Sequence, residues 1–223
     1  MRAAIFDIDG TLLDSVDLHA RAWVEAFAHF GVETDQADVR RQIGKGGDEL
    51  MPVFLPEARV EREGEAIEAY RSDLFKRTYL PEVRPFPGVR PLFERLRAAG
   101  LKIALASSGK RQEVEHYTGI LKIGDLIDVA TSSDDADRSK PHPDIFEAAL
   151  KKLHQGSHDV IHAIGDTPYD AEAAGRAGLP TIGFLCGGFP EADLSAAGCV
   201  AIYRDPQDLL DGFDRSLLAE TRG

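Results

Sequence analysis

Cysteine is nearly absent: Cys186 and Cys199 are the only two in 223 residues. Two such distant thiols exclude a disulfide framework and a four-cysteine zinc site, and they read as reduced. Positive charge is also scarce. Lys+Arg total 26 against 38 Asp+Glu, a formal net charge of -12. That field repels a phosphate backbone, so no nucleic-acid partner is expected. A small phosphorylated substrate remains compatible, provided a local basic group or a metal ion meets it. No run of about 18 apolar residues exists, so no membrane span is expected. Asp7 interrupts the first apolar stretch, too early for the apolar segment of a secretory signal. The expected location is the cytoplasm. Internal repeats and low-complexity tracts are missing too.

What is present suits a soluble globular chain. Hydrophobic residues make up 43% and charged residues 29%, and a chain of this length buries a proper core. Ala3–Phe6 is apolar without alternation, as in a parallel strand buried on both faces. Asp14 and Ser15 then offer N-cap oxygens. Val16, Ala20, Trp23, Phe27 and Phe30 follow on one helical face, which Gly31 ends. Short helices are expected over 35–54, around the loop Ile43-Gly44-Lys45-Gly46-Gly47. A longer amphipathic helix is expected from Glu57 to Tyr79.

Pro81, Pro85 and Pro87 break that helical texture. Beyond them strands and helices alternate. Strands are expected over 101–106, 127–131, 160–164, 181–185 and 200–203. Helices are expected over 89–99, 111–118, 143–153, 169–177 and 206–218. Repeated βα units imply an α/β fold: a doubly wound parallel sheet core with an inserted all-helical cap domain. The core takes residues 1–14 and 82–223, and the cap takes 15–81. Ligands of such sheets bind outside the carboxyl ends of the strands. Those ends carry Asp7-Ile8-Asp9-Gly10-Thr11, Ser107-Ser108-Gly109 and Gly165-Asp166-Thr167-Pro168-Tyr169-Asp170, with Ser139-Lys140-Pro141 before a helix.

In that order, these four motifs resemble those of the haloacid-dehalogenase-like phosphohydrolases. The helical insertion is similar to the cap of the subgroup holding phosphoglycolate phosphatase and β-phosphoglucomutase. The resemblance spans nearly the whole chain and implies a Mg²⁺-dependent phosphomonoester hydrolase of small phosphorylated metabolites. It implies an aspartyl-phosphate on Asp7, with Asp9 as proton donor and acceptor.

Elementary electrostatics points the same way. At ~4 Å and an effective dielectric of ~20, two like charges repel by about 4 kcal/mol. A carboxylate attacking a phosphate therefore needs a cation. Mg²⁺ suits oxygen ligands, and Asp7 and Asp166 are the obvious ones. The Asp9 backbone carbonyl joins them by analogy with the family. Asp170 is expected to orient Asp166 or a metal-bound water, or merely to complement the helix dipole. Lys140 supplies fixed positive charge for Asp7 and the phosphate. Ser107, with the N–H groups of Ser108 and Gly109, holds phosphate oxygens or caps a helix. Gly10 and Thr11 complete the phosphate-binding turn.

The resemblance implies that the cap chooses the leaving group. Lys45 in its glycine loop is the first candidate, with Arg41 and His19 behind it; a solvated loop lysine is the alternative for Lys45. A β-phosphoglucomutase-like sugar-phosphate mutase is the second reading, since His19 and Trp23 resemble positions there. Against it, this loop lacks the mutase arginine, and the fourth motif lacks the adjacent Glu-Asp. Asp9 disfavours the dehalogenase branch. Ser108 stands where phosphoglycolate phosphatases usually carry Asn. A phospho-accepting regulatory module is a third reading, although it needs neither Asp9 nor a cap. His154, His158 and His162 are four apart, but Gly156 and Ser157 interrupt any helix there, so no zinc site is expected.

Overall fold

The unbroken apolar run at the amino terminus becomes the central strand β1 (Arg2–Phe6) of a computed structural model that describes residues 1–154 and 159–219. After it come the two-residue strand β2 (Leu13–Asp14) and four helices: α1 (Val16–His29), α2 (Gln36–Arg40), α3 (Gly47–Phe54) and α4 (Glu57–Leu74). A wider π turn (Phe75–Tyr79) and a 3-10 turn (Leu80–Glu82) return the chain to β3 (Arg84–Pro85). β3 pairs antiparallel with β2, so the entry and exit of the helical insert are stitched together. Then follow α5 (Val89–Ala98), β4 (Lys102–Ala106), α6 (Arg111–Leu121), β5 (Val129–Thr131) and α7 (Asp144–Leu153). The chain closes with β6 (Val160–Gly165), α8 (Pro168–Arg176), β7 (Thr181–Phe184), α9 (Glu191–Ala196), β8 (Cys199–Tyr203) and α10 (Pro206–Asp211).

Six strands form one parallel sheet in the order β5-β4-β1-β6-β7-β8. The chain steps outward from β1 to β4 and β5, then crosses back to β6. The order therefore reverses between β1 and β6, where an open α/β sheet leaves a crevice. The period-2 pleat divides the strands cleanly. Ala4, Phe6, Leu105 and Ile164 face a core of large side chains that includes Phe93 and Tyr117. Ala3, Ile5, Ala104 and Ala163 face a smaller cluster with Phe146, Ala149 and Ala173. Alanine dominates that second face, so α7 and α8 lie close to the sheet.

The helical insert has its own cluster, built from Val16, Ala20, Trp23, Phe27, Leu50 and Ile67. Each large apolar side chain so buried contributes roughly 1.5–3 kcal/mol. Leu74, Phe75 and Tyr79 leave that cluster and pack with Leu12 and Phe93 of the sheet side. The end of the longest insert helix is thus anchored in the core.

Several sequence expectations change. The helix expected from Glu57 to Tyr79 keeps α-helical bonding only to Leu74. Ser15 occupies the N-cap of α1 without capping it; its hydroxyl donates to Asp9 instead. The β2–β3 pair and α9 have no counterpart in the periodicity. The helix expected over 206–218 ends at Asp211, followed by a 3-10 turn at Phe213–Arg215. Among the three spaced histidines, His154 ends α7 and His162 lies in β6, while His158, with Gly156 and Ser157, lies outside the described residues. No helix among the described residues is long and apolar enough to cross a membrane.

Candidate active site

Asp7 is the first residue past β1, and its N–H still donates to the Ile164 carbonyl of β6 at 2.9 Å. The ladder therefore aims Asp7 into the crevice at the reversal point. Beyond it the chain curls: the N–H groups of Thr11, Leu12 and Leu13 all approach the Ile8 carbonyl. Asp9 lies in that curl rather than in β1. Gly10 turns the chain with φ 82, and a Cβ there would stand 2.3 Å from Asp166 Oδ2. Only glycine brings the backbone this close to the carboxylate.

Asp166 follows β6 directly, and Asp170 occupies the first turn of α8. Asp7, Asp166 and Asp170 each offer an oxygen within 4.8 Å of the others, and all three are buried. Lys140, 0% exposed, reaches into them. Its Nζ donates to Asp7 Oδ1 at 2.5 Å and to the Ala106 carbonyl at 3.1 Å, and it lies 2.7 Å from Asp170 Oδ1. Asp170 serves two ends, because its Oδ2 also accepts from the Thr167 N–H and hydroxyl in a capping box. Thr11 is fully buried; its hydroxyl donates to Asp166 Oδ1 at 2.6 Å. It positions a carboxylate.

Three carboxylates against one ammonium leave a formal charge of -2 when all ionise. Burial pushes the Asp7 carboxyl up to about 7; Lys140 opposes that shift, while Asp170 and Asp9 add to it. Burial raises Asp166 as well, helped by Asp170 and Asp7 and opposed by Thr11 and Lys140. Asp166 Oδ2 is buried without a hydrogen-bond partner among the described residues. A Cβ at Gly187 would fall 1.7 Å from that oxygen, so the chain there is also kept clear. An orphaned oxygen, an all-oxygen donor set and a deficit of two positive charges fit a hard divalent cation such as Mg²⁺.

Asp9 stands apart from that group. Its Oδ1 accepts from the Ser15 hydroxyl at 2.6 Å and lies 3.0 Å from His19 Nε2. Burial alone would raise its carboxyl, but His19, Ser15 and Arg71 outweigh burial and hold it below the usual carboxylate range. His19 stacks on Phe75 at 3.9 Å between centroids and meets the Tyr117 hydroxyl at 3.3 Å. The resemblance gives His19 to the leaving group; the structure gives it to Asp9.

Ser107 is buried, and its Oγ accepts from the Gly109 N–H at 3.0 Å. Lys110 rather than Ser107 is the N-cap residue of α6. Ser108 donates from its hydroxyl to the Gly44 carbonyl of the insert at 3.2 Å. Further bridges join the same two parts. Gly46 N–H donates to Ser139 Oγ, Ser139 N–H to Asp48 Oδ2, and Arg40 to the Gly187 carbonyl. Lys45 lines the cavity that contains Asp7 and Asp9, donates to Gln42 Oε1 at 2.8 Å and sits 4.7 Å above the Tyr169 ring. Arg41 is a correction: its side chain is 67% exposed and pairs with Asp38 at 2.8 Å, away from the cavity. Only its carbonyl meets the rim, accepting from the Tyr169 hydroxyl.

Sequence reasoning missed Ser15, Thr167, Tyr117, Glu68, Arg71 and Glu113. Thr167 was open to discovery, since Thr-x-x-Asp before an apolar run signals a capping box in outline. The others meet the site only through tertiary folding.

Comparison with known proteins agrees over most of the chain. Residues 4–184 match the family model described as haloacid dehalogenase-like hydrolase. A phosphoglycolate phosphatase of Yersinia pseudotuberculosis is 34% identical over 192 residues, covering 84% of this chain and 82% of that protein. A phosphorylated carbohydrates phosphatase of Thermotoga maritima is 26% identical, covering 95% and 97%. The crystal structure of a hydrolase from Pseudomonas syringae superposes with a TM-score of 0.82 at 30% identity, covering 96% of this chain and 99% of that one.

Proposed function

This chain belongs to the haloacid dehalogenase-like hydrolases, and from that membership we propose that it is a Mg²⁺-dependent phosphatase of small phosphorylated metabolites acting through an aspartyl-phosphate. The observation that carries the reading is the arrangement around Asp7. One of its oxygens is held by a buried lysine, two further carboxylates stand beside it, and a tethered second aspartate follows two residues on.

In the proposed reaction, Lys140 fixes Asp7 Oδ1, and Oδ2 attacks phosphorus in line. The Asp7 O–P bond forms as the bond from phosphorus to the leaving oxygen breaks. Asp9 donates its proton to that oxygen, then takes one from the water that hydrolyses the acyl phosphate. Ser15 and His19 hold Oδ1 of Asp9, so its proton is carried on Oδ2. The incoming phosphate dianion raises Asp9 and lets it carry that proton, since like charge favours the neutral form. Ser107 and the Ser108 N–H receive phosphoryl oxygens, and the Gly109 N–H holds the Ser107 hydroxyl in place. Asp7, Asp166 and the Asp9 carbonyl would hold the Mg²⁺, with Asp170 acting behind them through Lys140. Bound there, the ion would offset the repulsion between carboxylates and phosphate. We also propose residues 15–81 as the cap and 1–14 with 82–223 as the core.

The mutase reading has less support. A Cβ at position 165 would stand 2.5 Å from the Asp170 side chain, so the paired Glu-Asp of the mutase motif has no room here. The test is turnover of p-nitrophenyl phosphate with Mg²⁺. Asp7→Asn is expected to be inactive and Asp9→Asn to lose about 10²–10⁴ in kcat. Near-normal turnover in either variant contradicts the assigned roles.

A further inference from the structure

Beside the small cavity at Asp7 and Asp9 lies a much larger one, of about 470 Å³ against about 50 Å³. The two share Arg71, Ser108, Gly109 and Glu113 as lining, so a leaving group departing from the phosphate cradle enters the larger chamber. That volume is in the range of about 300–1,000 Å³ that drug-sized ligands occupy. A two-carbon acid would leave most of it empty.

The inner wall carries unmet hydrogen-bonding capacity. Glu113, on the first turn of α6, is 6% exposed. Its Oε2 lies over Gly109, 3.0 Å from where a Cβ would stand. Arg71 acts on Glu113 at longer range but spends its direct ion pair on Glu68, at 2.7 Å. Arg71 Nε and Glu68 Oε2 are buried without a partner among the described residues. The chamber therefore offers carboxylate acceptors, one guanidinium donor and a formal charge of -1 over these three side chains. Lys110 and Arg138 also line the chamber, but both are exposed.

Such a wall discriminates. A carboxylate on the leaving group would meet two carboxylates and an arginine already neutralised. A hydroxyl can donate to Glu113 or Glu68 and accept from Arg71 Nε. The unpartnered buried Glu68 Oε2 also penalises any ligand that cannot donate to it.

We infer that this chamber selects uncharged, polyhydroxylated leaving groups, with Glu113 as the specificity-determining residue that turns away acidic ones. The inference rests on the phosphatase reading for its phosphate site and deepens it to a substrate class.

The experiment compares sorbitol 6-phosphate, glucosamine 6-phosphate and 2-phosphoglycolate. In the wild-type protein with Mg²⁺, kcat/KM for the polyol ester is expected to exceed that for phosphoglycolate at least tenfold. Glu113→Gln should shrink that ratio at least tenfold, mainly through KM. Calorimetry on Asp9→Asn with Mg²⁺ reads the same preference as a ratio of Kd values without turnover. If no ester is hydrolysed but that ratio stands, the phosphatase reading fails and the preference survives. A Kd ratio near one, or reversed, overturns the preference, as does a ratio untouched by Glu113→Gln. Tenfold tighter binding of the amino sugar than of the polyol would replace hydroxyl recognition by ammonium recognition and overturn the assignment.

Discussion

The sheet rim and the helical roof above it are held by different physics. At the rim, Asp7, Lys140, Asp166 and Asp170 are all buried, and Lys140 and Asp170 each serve two or more partners. Across the gap, the roof is attached by single polar bonds, such as Ser108 to Gly44 and Gly46 to Ser139. Buried charge networks tolerate little loss, because removing one member leaves the others uncompensated. Half-exposed single bonds contribute far less and can exchange with water. The proposed chemistry thus sits in the tightly bound network at the sheet rim, and the proposed leaving-group surface in the more loosely attached roof.

Breaking the rim should have the largest effect. Lys140→Met leaves three buried carboxylates without their cation and is expected to cost about 3–5 kcal/mol, read by urea unfolding. Retention of full stability would mean that the rim is not organised by that charge. A smaller effect is expected from the metal. The excess negative charge makes Mg²⁺ stabilising, by about 2.7 kcal/mol at a hundredfold excess over its Kd. Added Mg²⁺ should therefore raise Tm and chelator reverse it; a Tm indifferent to both would contradict the charge argument.

The roof predictions are milder and separate its two basic candidates. Lys45→Ala should raise KM for an anionic phosphomonoester with kcat nearly unchanged, since Lys45 lines the reaction cavity but touches none of the carboxylates. Arg41→Ala should leave both constants unaltered, because its guanidinium pairs with Asp38 in solvent. Equal effects from the two substitutions would erase the distinction between a cavity lysine and a surface arginine.

The same contrast explains what is legible in the sequence. The rim was legible because Asp7, Ser107 and Asp166 each immediately follow an apolar strand, Asp170 lies in the first turn of a helix, and strand ends converge by topology. Asp7 and Asp166 needed only the recognition of β1 and β6. Asp170 reads from the chain alone as either a helix acid or a group orienting Asp166 or a metal-bound water; in the fold it closes the capping box with Thr167 and pairs with Lys140. The roof was opaque. Glu113 looks like any first-turn acid, and Glu68 with Arg71 looks like an ordinary i,i+3 surface pair on α4. In the folded chain Glu113 is buried and Glu68 and Arg71 are half-buried around one chamber, a placement that no local period encodes. His19 lines the cavity with Asp7 and Asp9, but its bond to Asp9 has no signal in the sequence. Ser15 carried a capping signal that the stronger bond to Asp9 overrode.

The central claim is that Asp7 itself becomes phosphorylated. Acid quenching during turnover with Mg²⁺, followed by peptide mass spectrometry, tests it most directly. One added phosphoryl group on Asp7, absent from the Asp7→Asn protein, is the expected result. A phosphoryl group on any other residue, or sustained hydrolysis by Asp7→Asn, would contradict it.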